Sequence, residues 1–155
     1  MGGGHRVVLL GAVGAGKTTL FNALTGRQGL PLKTQAMEYD RDIVDTPGEF
    51  FSHPRMYRAL INTAAEARVL VYVHACNDGE YRLPPGLLEV NAGKRVIGAI
   101  TKIDLPDADP GAAEDLLRGN GFTGPVFRVS ARRPESVARF RQQLYALDGL
   151  EEQRT

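Results

Sequence analysis

Gly11-Ala12-Val13-Gly14-Ala15-Gly16-Lys17-Thr18 has the spacing G-x-x-x-x-G-K-[ST] and directly follows the apolar run Val7-Val8-Leu9-Leu10. Each residue type has a task in holding a phosphate chain. Glycines let the backbone curl so that successive N–H groups face an anion, and the lysine reaches the β- and γ-phosphates. The Thr18 hydroxyl is a hard oxygen ligand suited to Mg²⁺. A helix opening at Lys17 directs its positive end at the same phosphates. A glycine-rich turn in an ordinary βα unit is the weaker alternative once lysine, threonine and flanking strand are all in place. The expected nucleotide-binding set is Gly11, Val13, Gly14, Ala15, Gly16, Lys17, Thr18 and Thr19, and the expected ligand is a nucleoside triphosphate.

Three later segments add chemistry to that loop. Asp45-Thr46-Pro47-Gly48 follows a short apolar strand. Its carboxylate can hold Mg²⁺, and the Gly48 N–H can approach the γ-phosphate with no side chain in the way. Standing alone it could be a simple turn; about thirty residues after a phosphate loop, the functional role is the better one. Thr101-Lys102-Ile103-Asp104 ends another apolar strand. The Asp104 carboxylate can accept from the N1–H and 2-amino groups of guanine, whereas adenine would leave it unpaired at a cost of more than about 1–3 kcal/mol. The Lys102 stem would lie along the base plane. A strand end with Asp as a cap is the alternative. Ser130-Ala131-Arg132 ends the last strand, where the Ala131 N–H could donate to guanine O6. Thr34, a short loop after the first helix, is placed to complete a Mg²⁺ shell when a γ-phosphate is present, which would make it part of a switch. The metal set is thus Thr18, Thr34 and Asp45.

The elements that must position these residues alternate along the chain. Strands are expected over 5–10, 36–40, 42–45, 68–75, 95–101 and 125–130. The continuous β-branched run Val69–Val73 suits a strand covered on both faces of a parallel sheet. Helices are expected at Lys17–Thr25, stopped by Gly26, at Pro54–Glu66, from Asp109-Pro110 to about Gly119, and at Pro134–Leu147. A short helix is expected after Pro84-Pro85, inside the crossover from Ala75 to Lys94. In the last long helix Val137, Phe140, Leu144 and Leu147 share one stripe, with Arg139, Arg141 and Gln142 mostly outside it. The prediction is a three-layer α/β domain with a mostly parallel six-stranded sheet and one antiparallel edge strand. Ligands in such sheets lie at the carboxyl ends of the strands, where every motif above falls.

Composition sets the outer bounds. A chain of 155 residues is one domain's length, able to bury about two-thirds of its unfolded surface. Residues 1–4 and 149–155 are expected to be flexible ends. Nineteen Lys and Arg balance eighteen Asp and Glu, so bulk charge points to no nucleic-acid partner. No apolar stretch approaches the roughly 20 residues that cross a bilayer. The first residues run straight into a strand, leaving no room for a signal peptide, and Arg6 stands where a myristoylation signal needs Ser or Thr. Cys76 is the one cysteine, expected as a buried filler, and a cytoplasmic setting follows. No His/Cys cluster has zinc spacing.

In order, the phosphate loop, Thr34, DTPG, TKxD and SA resemble the five nucleotide motifs of small Ras-like GTPases, with DTPG similar to the Era-like bacterial branch. The wider sequence is similar to the ethanolamine-utilisation protein P and propanediol-utilisation protein V group. The residues that carry this are Gly11–Asn22, Lys33–Ala36, Asp45–Phe51, His53–Arg55, Tyr72–His74, Asn77-Asp78, Arg82–Pro84 and Pro106–Asp109. The resemblance implies a P-loop GTPase fold, Mg²⁺ and GTP or GDP as cofactors, and association with a bacterial microcompartment through shell or lumen enzymes. An ATP-dependent acetate kinase role is also implied within the ethanolamine branch. A docking protein with a merely structural nucleotide is a third alternative, for which Phe50 and Phe51 could form a surface, although packing against the neighbouring helix is the commoner outcome for such residues.

Departures from the Ras-like pattern qualify these expectations. Thr101 replaces Asn and offers a single hydroxyl. Val13 replaces a glycine near the γ-phosphate, and Gly14 stands where potassium-activated relatives carry Asn. Glu49 replaces the glutamine that orients the attacking water, so hydrolysis is expected to be slow unless a partner rearranges the site or Glu49 itself accepts a proton. The expected catalytic set is Lys17, Thr34, Gly48 and Glu49. For a kinase, His53 and His74 lie near strand ends and Arg55 or Arg82 could hold a carboxylate, although a packed or solvated histidine is the commoner outcome.

Overall fold

The computed structural model describes residues 7–26, 38–40, 43–48, 53–84, 86–90 and 95–148. Thr34, Glu49, Phe50 and Phe51, together with both chain ends, lie outside the described residues, as does the side chain of Leu147.

Complete burial of β1 (Val7–Leu10) and β4 (Val69–Ala75), on both of their faces, explains the architecture. Val7, Leu9, Val69, Val71 and Val73 face one layer, where Leu20, Phe21 and Leu24 meet Val137, Phe140 and Leu144. Val8, Leu10, Leu70 and Tyr72 face the other, against Leu60, Ala64, Leu117 and Phe122. A strand with apolar residues on both faces must be covered twice, and helices do so here. The described strands, with β2 (Glu38–Asp40), β3 (Ile43–Asp45), β5 (Arg95–Thr101) and β6 (Val126–Arg128), form one sheet in the order β2-β3-β1-β4-β5-β6. β3, β1, β4, β5 and β6 run parallel. At the edge, β2 pairs with β3 antiparallel, Tyr39 opposite Val44.

The helices are α1 (Lys17–Thr25), α2 (Tyr57–Ala65), α3 (Leu87–Val90), α4 (Pro110–Gly119) and α5 (Pro134–Asp148). Asp109 caps α4 by accepting from the Ala112 N–H at 3.1 Å, with Pro110 at the first helical position. The expected helix from Pro54 begins instead as a 3-10 turn, Pro54–Met56, closed by the Met56 N–H on the His53 carbonyl. No side chain caps that end, so the tighter i→i+3 bonds satisfy its first groups. Cys76 is buried beside Ile100 and Ala113 as a small apolar filler.

Arg141 has a role that the helical stripe did not suggest. Its guanidinium leaves α5 and donates to the Leu24 carbonyl at 2.6 and 3.1 Å and to the Ala23 carbonyl at 3.1 Å. These are carbonyls of the last turn of α1, which the helix itself leaves unpaired, and the guanidinium also meets the negative end of its dipole. The contact fixes α1, and with it the phosphate loop, against α5. Arg141→Ala is expected to cost about 1–2 kcal/mol, a charged donor to backbone discounted for partial exposure, read as a lower urea midpoint with an unchanged slope.

Candidate functional site

The loop between β1 and α1 places its carbonyls and amides by backbone conformation. Gly14 and Gly16 adopt φ of 88° and 83°, left-handed values that a side chain would strain. Gly11 and Ala15 are buried, whereas Val13 and Gly14 are exposed at the rim. Val13 is half exposed and packs on Gly48: a Cβ added at Gly48 would stand 2.7 Å from the Val13 nitrogen. The DTPG segment therefore touches the phosphate loop through bare backbone. Thr46 anchors it, its hydroxyl donating to the Leu9 carbonyl at 2.7 Å.

Lys17 and Asp45 form a buried ion pair, Nζ to Oδ1 at 2.6 Å, with 3% and 0% of their side chains exposed. The Lys17 ammonium also donates to the Thr46 carbonyl, and the Thr18 hydroxyl donates to Asp45 Oδ2 at 3.0 Å. Burial pulls the lysine below its usual range, and the Asp45 carboxylate opposes that pull. Three of the expected residues thus meet at one point, with a hydroxyl and a carboxylate side by side. These are hard oxygen donors, the type that Mg²⁺ takes.

A cavity of about 360 Å³ opens beside this cluster. Gly16, Thr19, Thr101, Lys102, Asp104, Ala131 and Arg132 line it, joining the loop to the tips of β5 and β6. The Ser130 hydroxyl donates to Asp104 Oδ1 at 2.8 Å and is itself fully buried. That bond, with Arg132 Nε 3.8 Å from Oδ2, holds the Asp104 carboxyl below its usual range, so it is ionised at neutral pH. Ser136 completes the brace by accepting from the Ser130 N–H at 3.0 Å. Ser130 supports the wall rather than forming it.

Thr101 faces the loop as well as the cavity. Its hydroxyl donates to the Ala15 carbonyl at 2.6 Å, while the His74 carbonyl lies farther off at 3.5 Å. A hydroxyl has one proton, so the loop takes it. Lys102 arches back over the same loop, Nζ to the Gly14 carbonyl at 2.9 Å, from a backbone φ of 60°. A lysine in that region costs roughly 1–2 kcal/mol, which the tertiary contact must offset. Leu20, Asn77 and Leu105 also line the cavity, and no sequence motif singled them out for it. Leu20 and Asn77 fall in segments that carried the family resemblance, and Leu105 directly follows the Asp104 motif.

The residues considered for carboxylate chemistry are placed elsewhere or engaged. His74 is 1% exposed, with Nδ1 2.8 Å from the Tyr72 hydroxyl and Nε2 2.9 Å from the Asp78 carbonyl. A carbonyl only accepts, so Nε2 carries the proton and Nδ1 accepts from Tyr72. Arg82 binds Asp78 at 2.9 Å and Glu80 at 3.2 Å. His53 and Arg55 are exposed at the start of the 3-10 turn. Among the described residues, no group of three His, Cys, Asp or Glu could hold a metal, and no helix is long and apolar enough to cross a membrane.

Similarity to known proteins is consistent with this geometry. A family model described as ethanolamine utilisation – propanediol utilisation matches residues 4–146. The probable acetate kinase EutP of Salmonella typhimurium strain LT2 is 52% identical over 149 residues, covering 96% of this chain and 94% of its own. The tRNA modification GTPase MnmE of Phenylobacterium zucineum is 30% identical over 157 residues, 91% of this chain but 34% of that longer protein. In fold, the structure of Methanosarcina barkeri Roco2 RocCORdC bound to GDP superposes with a TM-score of 0.64 at 21% identity, covering 92% of this chain and 48% of that one.

Burial lowers the His74 pKa below its ordinary 6.5; bonding to the Asp78 carbonyl and the nearby Asp78 carboxylate oppose the shift, and Arg82 adds to it. The unfolded chain therefore binds more protons than the folded one just below pH 6.5, and stability falls as pH drops through that value. Urea midpoints compared at pH 7.5 and about 5.5 should show a larger loss for the natural protein than for His74→Gln.

Proposed function

The chain belongs to the ethanolamine and propanediol utilisation family, and on that premise we propose that it binds guanine nucleotide with Mg²⁺ and hydrolyses GTP to GDP. One observation carries the proposal: the Asp104 carboxylate, fixed by Ser130, stands in the wall of a cavity that reaches Gly16 of the phosphate loop and Thr19 in the first turn of α1. An ionised, oriented acceptor there suits the paired N–H donors of guanine and not adenine. Ala131 lies in the same wall, where its N–H suits guanine O6.

At the other end, Lys17 carries three donors, of which Asp45 and Thr46 take two, leaving one for a phosphate oxygen. Gly11, Val13, Gly14, Ala15 and Gly16 supply the curled backbone for the phosphates. Thr18 and Asp45 would hold Mg²⁺, joined by Thr34, and the ion would neutralise charge on the β- and γ-phosphates. Gly48, backbone against the loop, senses the γ-phosphate. Hydrolysis is in-line attack by water, accelerated by positioning and electrostatics. Glu49 accepts a proton but cannot donate to the γ-phosphate, which makes intrinsic turnover slow. We further propose that the protein works at a bacterial microcompartment in the cytoplasm with shell or lumen enzymes as partners, a setting that the family's link to ethanolamine and propanediol utilisation supports.

The name of the 52%-identical relative favours a second function, transfer of the γ-phosphoryl of ATP to acetate. Asp104 is poorly suited to adenine, and Arg82 is already paired with acidic neighbours.

Calorimetric titration separates the two. GDP and GTP should bind more tightly than ATP, and Lys17→Ala should abolish triphosphate binding. Asp104→Asn should weaken GDP by roughly 10- to 100-fold and improve xanthosine diphosphate, whose C2 carbonyl matches the new amide donor. Acetyl phosphate formed from ATP and acetate, and lost in Lys17→Ala, would establish the kinase instead.

A further inference from the structure

The turn that follows β4 carries a polar residue to the cavity and is held there from below. Ala75 pairs with Thr101 across the sheet, and the Cys76 N–H donates to the Thr101 carbonyl at 2.9 Å. The Asp78 N–H then closes back on the Ala75 carbonyl at 3.0 Å. Asn77 stands at the head of this turn, exposed, in the cavity wall that Lys102, Asp104 and Leu105 also form. Its side-chain amide has no hydrogen-bond partner among the described residues. Both its neighbours in the structure are committed: Thr101 to the phosphate loop, Asp78 to Arg82.

His74 supports the turn. The neutral ring donates at Nε2 to the Asp78 carbonyl and accepts at Nδ1 from Tyr72, whose oxygen accepts in turn from the Arg82 N–H at 3.0 Å. One imidazole thus bridges an acceptor and a donor on opposite edges of its ring. The segment from Asp78 to Arg82 hangs on these two β4 side chains. Without the ring, a buried hydroxyl proton and a carbonyl would lose their partners, and the turn would lose its fixed height.

We propose that Asn77 makes a polar contact to the nucleoside of the bound nucleotide, and that His74 is the positioning residue holding it at the cavity wall through the Asp78 carbonyl; this rests on the guanine-nucleotide function proposed above. The amide has both a donor and an acceptor, as sugar hydroxyls and the guanine edge require.

The test is GDP titration into the intact chain and its variants, alongside thermal midpoints measured without nucleotide. Asn77→Ala should weaken GDP about 3- to 10-fold, the loss of one neutral hydrogen bond, with its midpoint unchanged because the side chain is exposed. His74→Phe should weaken GDP by a similar factor, and adding Asn77→Ala to it should cost nothing further. His74→Gln, which restores a donor toward the Asp78 carbonyl, should recover part of the affinity. 2′,3′-Dideoxy-GDP binding equally to natural protein and Asn77→Ala would place the contact on a sugar hydroxyl; a persisting difference would place it on the base. GDP binding to Asn77→Ala as tightly as to the natural protein overturns the inference alone, as does simple additivity of the two losses. A natural protein that retains no GDP overturns the guanine-nucleotide function and this inference together.

Discussion

Two opposite charges almost wholly withdrawn from water, Lys17 and Asp45, set the terms for everything around them. A buried ion pair gains little over an apolar pair of the same volume, but losing one partner leaves a bare charge at a cost of about 3–5 kcal/mol. The pair therefore constrains both of its hosts. The first turn of α1 cannot drift from the end of β3, and the chain after Asp45 must pass over the loop closely enough for Gly48 to rest on Val13. Thr46 tightens the same join from β1, and Arg141 fixes the far end of α1. Rigid positioning of the loop follows from contacts at both ends of one helix.

The other wall of the cavity obeys a different constraint, economy of donors. Thr101 has one proton and gives it to Ala15, so the first residue of its motif braces the phosphate loop. Asp104 is left to face the cavity, oriented by Ser130. A hydroxyl at position 101 offers fewer hydrogen bonds than an amide would, and its one proton joins β5 to the loop. Lys102 adds a second tie to Gly14 at the expense of an unfavourable backbone angle. Strained backbone at a site of convergence is tolerated because several independent contacts fix it.

A similar protein carries a kinase name, while the fold is shared with proteins described as GTPases or as bound to GDP. Either proposed chemistry would use the phosphate end alike, since both begin with a γ-phosphoryl group held by such a loop. Only the base end and the acceptor side differ. The polar network under Asn77 occupies the region where a histidine and an arginine stood out in sequence as possible acceptor-site groups. In the fold, both are engaged in holding a turn.

Much of this was legible in the chain itself. Spacing alone marked the phosphate loop and the ends of α1, because glycine, lysine and threonine act there through local backbone shape and through the next helix turn. The apolar, largely β-branched run Val69–Val73 marked β4 as covered on both faces, since a strand's faces are set by its period of two. Asp109-Pro110 marked the start of α4 for an equally local reason. What lay beyond sequence were contacts between residues far apart in the chain. The 28 positions from Lys17 to Asp45, the 86 from Ala15 to Thr101 and the 117 from Leu24 to Arg141 are closed only when the sheet order is set. Whether His74 would meet a ligand or carry a turn depended on which groups the neighbouring loop brought to its two nitrogens. Local sequence determines what a residue can donate or accept; tertiary structure alone decides which partner reaches it first.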